Sequence, residues 1–194
     1  VYSYLKDKRI ILASNSPRRK QLLSLMDIPF ICAISDNEEI ISQKMEPYDA
    51  VMNIAKQKCD AVLKNIDDND IVITADTVVI VNNEILGKPV DRADEKRMLQ
   101  LLSGQVHEVV TGVCIADKKK HDLFYDLTKV HFSVLSDEMI DYYTVRYNPK
   151  DKAGAYGVQE WIGYIGIDRI EGSYFTIMGL PVHLAYELLT EFIG

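Results

Sequence analysis

The stretch Ile71–Val81, IVITADTVVIV, limits the fold more than any other part of the chain. Its β-branched residues suit a packed, pleated strand. A carboxylate, Asp76, interrupts it. Such a group is costly in apolar surroundings unless it is hydrogen-bonded, ion-paired or bound to metal. The run reads as two strands meeting at a kink around Asp76, near the edge of a sheet, with the hydroxyls of Thr74 and Thr77 beside it. A carboxylate that merely caps a turn is the bland alternative, and Asp76 is read here as functional. Asn82-Asn83, directly afterwards, marks a hairpin.

The remaining elements follow from period and punctuation. Arg9–Ala13 (RIILA) and Phe30–Ile34 are short strands, with a helix over Pro17–Met26 between them. Pro47–Lys64 has a helical period that puts Val51, Ile54, Ala55, Cys59 and Val62 on one face. Asp91–Leu102 and Ser136–Tyr147 are helices with Asp91 and Ser136 as caps, and Pro181–Phe192 is a closing helix. Val106–Ala116 and Leu123–Leu135 are strands joined through DKKKHD, and two further strands are expected between Ala155 and Met178. Strands alternate with helices at first and hairpins follow, which predicts an α/β fold with a mixed sheet flanked by helices. No repeat or low-complexity linker divides the chain. Its 194 residues suffice for one domain or two tightly joined lobes.

Charge excludes some functions. The formal net charge is -7, which gives no global attraction to nucleic acid or to an anionic membrane. No apolar run is long enough to span a bilayer. Cys32, Cys59 and Cys114 form no CxxC pair and read as three small buried thiols in a reducing cytosol. Any anion site must therefore be a local cluster of basic residues.

Several residues are poorly explained by local stability. In LASNSPRRKQLL, Ser16 is a good N-cap and Pro17 suits the first helical position. Arg18 and Arg19 then fall in the first turn, where the helix dipole disfavours each cation by roughly 0.3–1 kcal/mol. A phosphate group would satisfy them together with the free N–H groups of the helix start, and a solvated basic turn is the alternative. Lys58 shares the apolar face of its helix, from which it either snorkels or reaches a phosphate. Glu38-Glu39 is an acidic turn that, paired with Asp76, would offer hard oxygens to Mg²⁺. Lys88 stands between Gly87 and Pro89, as a placed cation or a simple turn. In DKAGAYGVQ (151–159), small residues let backbone pass close to a flat ligand, and the Gln159 amide has the donor and acceptor to read a base edge. Cations, carboxylates and a small-residue loop all fall at strand ends, where open α/β sheets bind ligands.

Taken together, S-N-S-P-R-R at 14–19, T-A-D-T at 74–77, G-K-P at 87–89, L-S-G-Q-V-H-E-V-V-T-G at 102–112, D-K-A-G-A-Y-G-V-Q at 151–159 and I-E-G-S-Y…G-L-P at 170–181 resemble the Maf family of nucleoside triphosphate pyrophosphatases. The resemblance covers nearly the whole chain. It implies a single domain over residues 1–194: an elongated mixed sheet with helices, in two lobes with a deep substrate cleft. It implies that water attacks the α-phosphorus of a nucleoside triphosphate, releasing monophosphate and pyrophosphate. AGAYGVQ resembles the branch acting on dTTP, UTP and some modified pyrimidine triphosphates. By the same resemblance, Asp76 matches the proton acceptor, and Arg18, Arg19, Lys58 and Lys88 match phosphate-binding cations. Glu39 matches an acidic residue that would share a metal with Asp76, and Ser14 matches the motif serine. Thr77, Gln159 and Arg19 match positions tied to substrate choice, and Lys152 is a further phosphate-side residue. Mg²⁺, or Mn²⁺ in its place, is the implied cofactor, a homodimer the implied assembly and the cytoplasm the implied location. The chain departs from the family in Gln43–Ala55, its least motif-like region, and in Cys59, where alanine is expected.

Cations and metal would neutralise the triphosphate so that water can approach, while Asp76 positions and deprotonates that water. The competing readings are a pyrophosphatase preferring 7-methyl-GTP or inosine triphosphate, and a nucleotide-sensing regulator of cell division and septum formation.

Overall fold

The computed structural model describes residues 5, 7–33 and 45–193. The chain runs β1 (Arg9–Ala13), α1 (Pro17–Ser24), β2 (Phe30–Ala33), α2 (Pro47–Leu63), β3 (Asp70–Val81), β4 (Glu84–Leu86), α3 (Arg92–Leu102), β5 (Val106–Ala116), β6 (His121–Phe132), α4 (Asp137–Tyr147), a 3₁₀ turn (Ala153–Ala155), α5 (Trp161–Gly166), β7 (Ile167–Glu171), α6 (Tyr174–Ile177) and α7 (Val182–Ile193). The seven strands form one mixed sheet in the order β2-β1-β3-β5-β6-β7, with β4 paired to β3. β1 is parallel to β2 and β3, whereas β3–β4 and β6–β7 are antiparallel.

Three helix starts follow their sequence signals. Ser16 Oγ accepts from Arg19 N, Asp91 from Asp94 N and Ser136 from Met139 N. At the hairpin, Asn82 and Asn83 both take positive φ, 50° and 65°, the geometry whose twist matches paired strands. Helix α1 ends at Ser24, before the expected Met26, in a turn that closes at Asp27 with φ 55°.

Ile71–Val81 does not divide into two strands. It lies in one continuous strand, well inside the sheet and not near its edge. The paired register of β1 with β3 runs from Arg9↔Asp70 to Leu12↔Ile73, and that of β4 with β3 starts at Val79↔Leu86. Asp76 falls beyond the first ladder and before the second. Its charge has a partner, Lys58, so the strand needs no break to expose it. The segment 155–178 holds one strand, not two, with α5 and α6 on either side of it. Cys59 and Cys114 are buried as expected, but Cys32 is exposed on the short strand β2.

The chain divides into two units. Unit 1 comprises Val1–Asp76, Thr111–Asp126 and Gly179–Gly194, and unit 2 comprises Thr77–Val110 and Leu127–Met178. In unit 1, Ile11, Ala55, Cys59, Val62, Val72 and Cys114 belong to a core that packs α2 on the sheet. Gly112 sets how closely they approach: a Cβ there would stand 2.8 Å from Met52 N and from the Val51 carbonyl carbon. The core of unit 2 gathers Met98, Leu99, Leu102, Phe132, Ile140, Tyr143 and Tyr156.

Candidate functional site

In unit 1 the site begins with the register of α2 against β3. Thr74 Oγ1 donates to the Ala55 carbonyl at 2.6 Å. Two residues along a strand return to the same face, and three or four residues along a helix do likewise. That bond therefore brings the next residue on each face together: Lys58 Nζ meets Asp76 Oδ1 at 2.6 Å. Both side chains are largely but not fully covered, with 18% and 16% exposure. The pair joins one group expected to accept a proton and one expected to bind phosphate. Its partners are 18 residues apart in the chain.

The serine–arginine turn is also in unit 1. Ser14, the last residue before the turn, is buried, and its Oγ accepts from Ser16 N at 3.2 Å. Arg19 Nε donates to the Gly179 carbonyl at 2.8 Å, and Nη1 lies 3.5 Å from Ser14 Oγ. The S-N-S-P-R-R and G-L-P motifs thus meet through one guanidinium. Arg18 is partly exposed on the first turn of α1.

Unit 2 holds a second cluster. Gly154 N donates to the Gly87 carbonyl at 3.0 Å, which ties the A-G-A turn to G-K-P. Lys88 is exposed beside that bond. Lys152 is the more covered lysine, 11% exposed, and its ammonium meets Asp151 Oδ1 at 2.7 Å and Glu160 Oε1 at 3.0 Å. Gln159 is exposed, and its amide is in hydrogen-bond contact with the Tyr174 hydroxyl. Thr77, on β3 directly after Asp76, is partly buried.

Buried polar groups support this cluster from below. His107 Nε2 lies 2.8 Å from the Tyr156 hydroxyl, with the Phe132 and Tyr156 rings edge-on to the imidazole. Burial, and secondarily the His131 charge, push the His107 pKa down from 6.5 to about 3, so the ring is neutral. Tyr143 is wholly buried; burial and then the Glu160 carboxylate push its phenol well above the ordinary range. His107 was visible only as a motif letter. Tyr143 and Glu160 carry no motif signal of their own, because a tyrosine in a helix and a glutamate after a loop are commonplace.

Among the described residues no group of three His, Cys, Asp or Glu side chains is placed to hold a metal. The Asp76 carboxylate is of the hard-oxygen type that such an ion would accept. Mg²⁺ is commonly held by one or two carboxylates, with waters and substrate phosphates completing its shell, so Asp76 fits that donor set. Glu38 and Glu39, the expected companions, lie outside the described residues.

These features define an α/β protein of mixed sheet with a lysine–carboxylate pair placed where a parallel ladder ends. The chain belongs to the Maf family: the family model described as Maf-like protein matches residues 9–192. It is 50% identical over 191 residues to a dTTP/UTP pyrophosphatase of Porphyromonas gingivalis, covering 97% of this chain and 96% of that one. A dTTP/UTP pyrophosphatase of Parabacteroides distasonis is 46% identical over 189 residues, covering 97% and 98%. The solved structure of the Staphylococcus aureus Ham1 protein shares the fold, with a TM-score of 0.50 at 14% identity, over 95% of this chain and 99% of that one.

Proposed function

We propose that this chain is a nucleoside triphosphate pyrophosphatase that hydrolyses dTTP and UTP, with related modified pyrimidine triphosphates, to the monophosphate and pyrophosphate. The observation that carries the reading is the Lys58–Asp76 pair at 2.6 Å, within motifs the chain shares with relatives bearing that name. Water bonds to the α-phosphorus, the bond from that phosphorus to the bridging oxygen breaks, and pyrophosphate leaves. Asp76 accepts the proton of the water. Lys58 holds Oδ1 of the carboxylate and so fixes its orientation. Arg18, Arg19, Lys58 and Lys88 bear on the phosphates, where fixed cations stabilise charge that develops as the leaving group departs. Arg19 enters this role already oriented, because the Gly179 carbonyl and Ser14 Oγ hold its guanidinium. Gln159 reads the base, with Thr77 and Arg19 contributing to substrate choice.

Mg²⁺, or Mn²⁺, would be held by Asp76 with Glu39 and would supply charge neutralisation and a more acidic attacking water. The same reading takes residues 1–194 as one functional domain, working as a cytoplasmic homodimer. No helix among the described residues is long and apolar enough to cross a membrane.

The test is a panel of nucleoside triphosphates with Mg²⁺, in which pyrophosphate and orthophosphate are measured separately. Pyrophosphate from dTTP and UTP above all others is the expected result. Asp76→Asn is expected to keep nucleotide binding and to lose about 10²-fold or more of turnover, as for removal of a proton acceptor. Orthophosphate as the first product, or normal turnover by the variant, would refute the reading.

A further inference from the structure

The segment that carries Gln159 is anchored at each end by side chains outside the phosphate-binding set. Tyr143, on α4, accepts a hydrogen bond from Gly157 N at 3.0 Å and donates its hydroxyl to Glu160 Oε2. The other oxygen of that carboxylate meets Lys152 Nζ. Glu160 folds directly over Gly157, where a Cβ would stand 2.8 Å from Glu160 Cδ. Its backbone closes the loop: Glu160 N donates to the Gly157 carbonyl at 3.0 Å, and the Glu160 carbonyl accepts from Gly163 N and Tyr164 N. Gln159 is therefore held by its neighbours on both sides while its own side chain stays exposed, against the Tyr174 hydroxyl.

A glutamine amide offers a donor and an acceptor that exchange places when it turns over. It distinguishes one base edge from another only when its backbone and its amide plane are fixed beforehand. Hydrogen bonds to a charged carboxylate in a largely covered site are the stronger kind, and a satisfied polar network rigidifies what it joins.

We infer that Glu160 and Tyr143 are positioning residues for base discrimination, holding the backbone of residues 157–160 so that Gln159, steadied by Tyr174, presents one orientation of its amide to the pyrimidine edge. Lys152, compensated by Asp151 and Glu160, serves as the brace of this segment. The inference rests on the proposed function and assigns its specificity to residues that do not touch the substrate.

The test compares the full chain with Tyr143→Phe and, in case the buried site does not tolerate that change, Glu160→Gln. Two readouts are taken: hydrogen exchange at residues 157–159, and kcat/KM for dTTP against dCTP and dATP. Each variant is expected to speed exchange at the Gly157 amide and to lower the preference for dTTP by about three- to tenfold, the range for one lost hydrogen bond. Inhibition by inorganic tripolyphosphate, which has no base, is expected to stay within twofold. Equal losses for all nucleotides, or faster exchange with unchanged preference, would overturn the inference while leaving the proposed function intact. A wild-type chain that hydrolyses no nucleotide would overturn both.

Discussion

His107 makes a sharp prediction about stability against pH. Its ring is 1% exposed, packed against Phe132 and Tyr156 and bonded at Nε2 to the Tyr156 hydroxyl. In the folded protein its pKa is about 3, against 6.5 for the ordinary side chain, chiefly because burial penalises the imidazolium. Below about pH 6.5 the unfolded chain takes up a proton that the folded chain refuses. Stability contributed by the neutral ring is therefore complete above pH 6.5 and falls away as the pH drops toward 3. Each pH unit in that window is worth about 1.4 kcal/mol, so at pH 5 the loss is about 2 kcal/mol relative to neutrality. Other groups titrate over the same range, and a variant isolates this one. Urea unfolding of the wild type and His107→Gln at pH 7 and pH 5 yields two pH-dependent losses. The wild-type loss is expected to exceed that of the variant by about 2 kcal/mol. Equal losses would mean that the ring accepts its proton in place, and the account of its burial would be wrong.

Two further outcomes concern packing. Glu95 on α3 is fully buried, and neither carboxylate oxygen has a hydrogen-bond partner among the described residues. Glu95→Met keeps the side-chain length and removes both orphan atoms, with an expected gain of about 1–3 kcal/mol. At about 2–4 °C per kcal/mol for a chain of this size, the melting temperature rises by several degrees; a fall would show that the carboxylate is satisfied. Gly112→Ala forces a methyl against the α2 backbone at Val51 and Met52. It is expected to cost about 1–3 kcal/mol through overpacking, and an unchanged thermal unfolding curve would contradict the close contact.

What was legible in the sequence depended on how local its cause was. The caps Ser16, Asp91 and Ser136 bond backbone three residues away, so the helix starts were readable. The Asn82-Asn83 hairpin was readable for the same reason. Asp76 stood out as a carboxylate without an evident partner, but Lys58 enters from another helix. Without it, a kinked edge strand was the cheaper arrangement, and the observed unbroken interior strand could not be foreseen. In the segment 155–178 two strands were expected. The observed Glu160 carbonyl instead accepts two hydrogen bonds that start a short helix. The burial of Glu95 carried no signal in the sequence, since burial by a distant part of the fold leaves no trace in helical spacing. Of the site itself, the residue types were legible, whereas the bonds that orient them were not: Thr74 to Ala55, Arg19 to Gly179, and Tyr143 to Glu160.

The bond between Arg19 Nε and the Gly179 carbonyl joins positions 160 residues apart, and that span is also a delay. At about 5–20 residues per second of synthesis, roughly 8–32 s pass between the making of the arginine and the making of its partner. Throughout that interval the nascent chain already carries its serine–arginine turn, but the guanidinium has no carbonyl to align it. A polypeptide released early from the ribosome would bear the motif without this one bond. This contribution to the orientation of the cation thus waits on residues made long after the arginine itself.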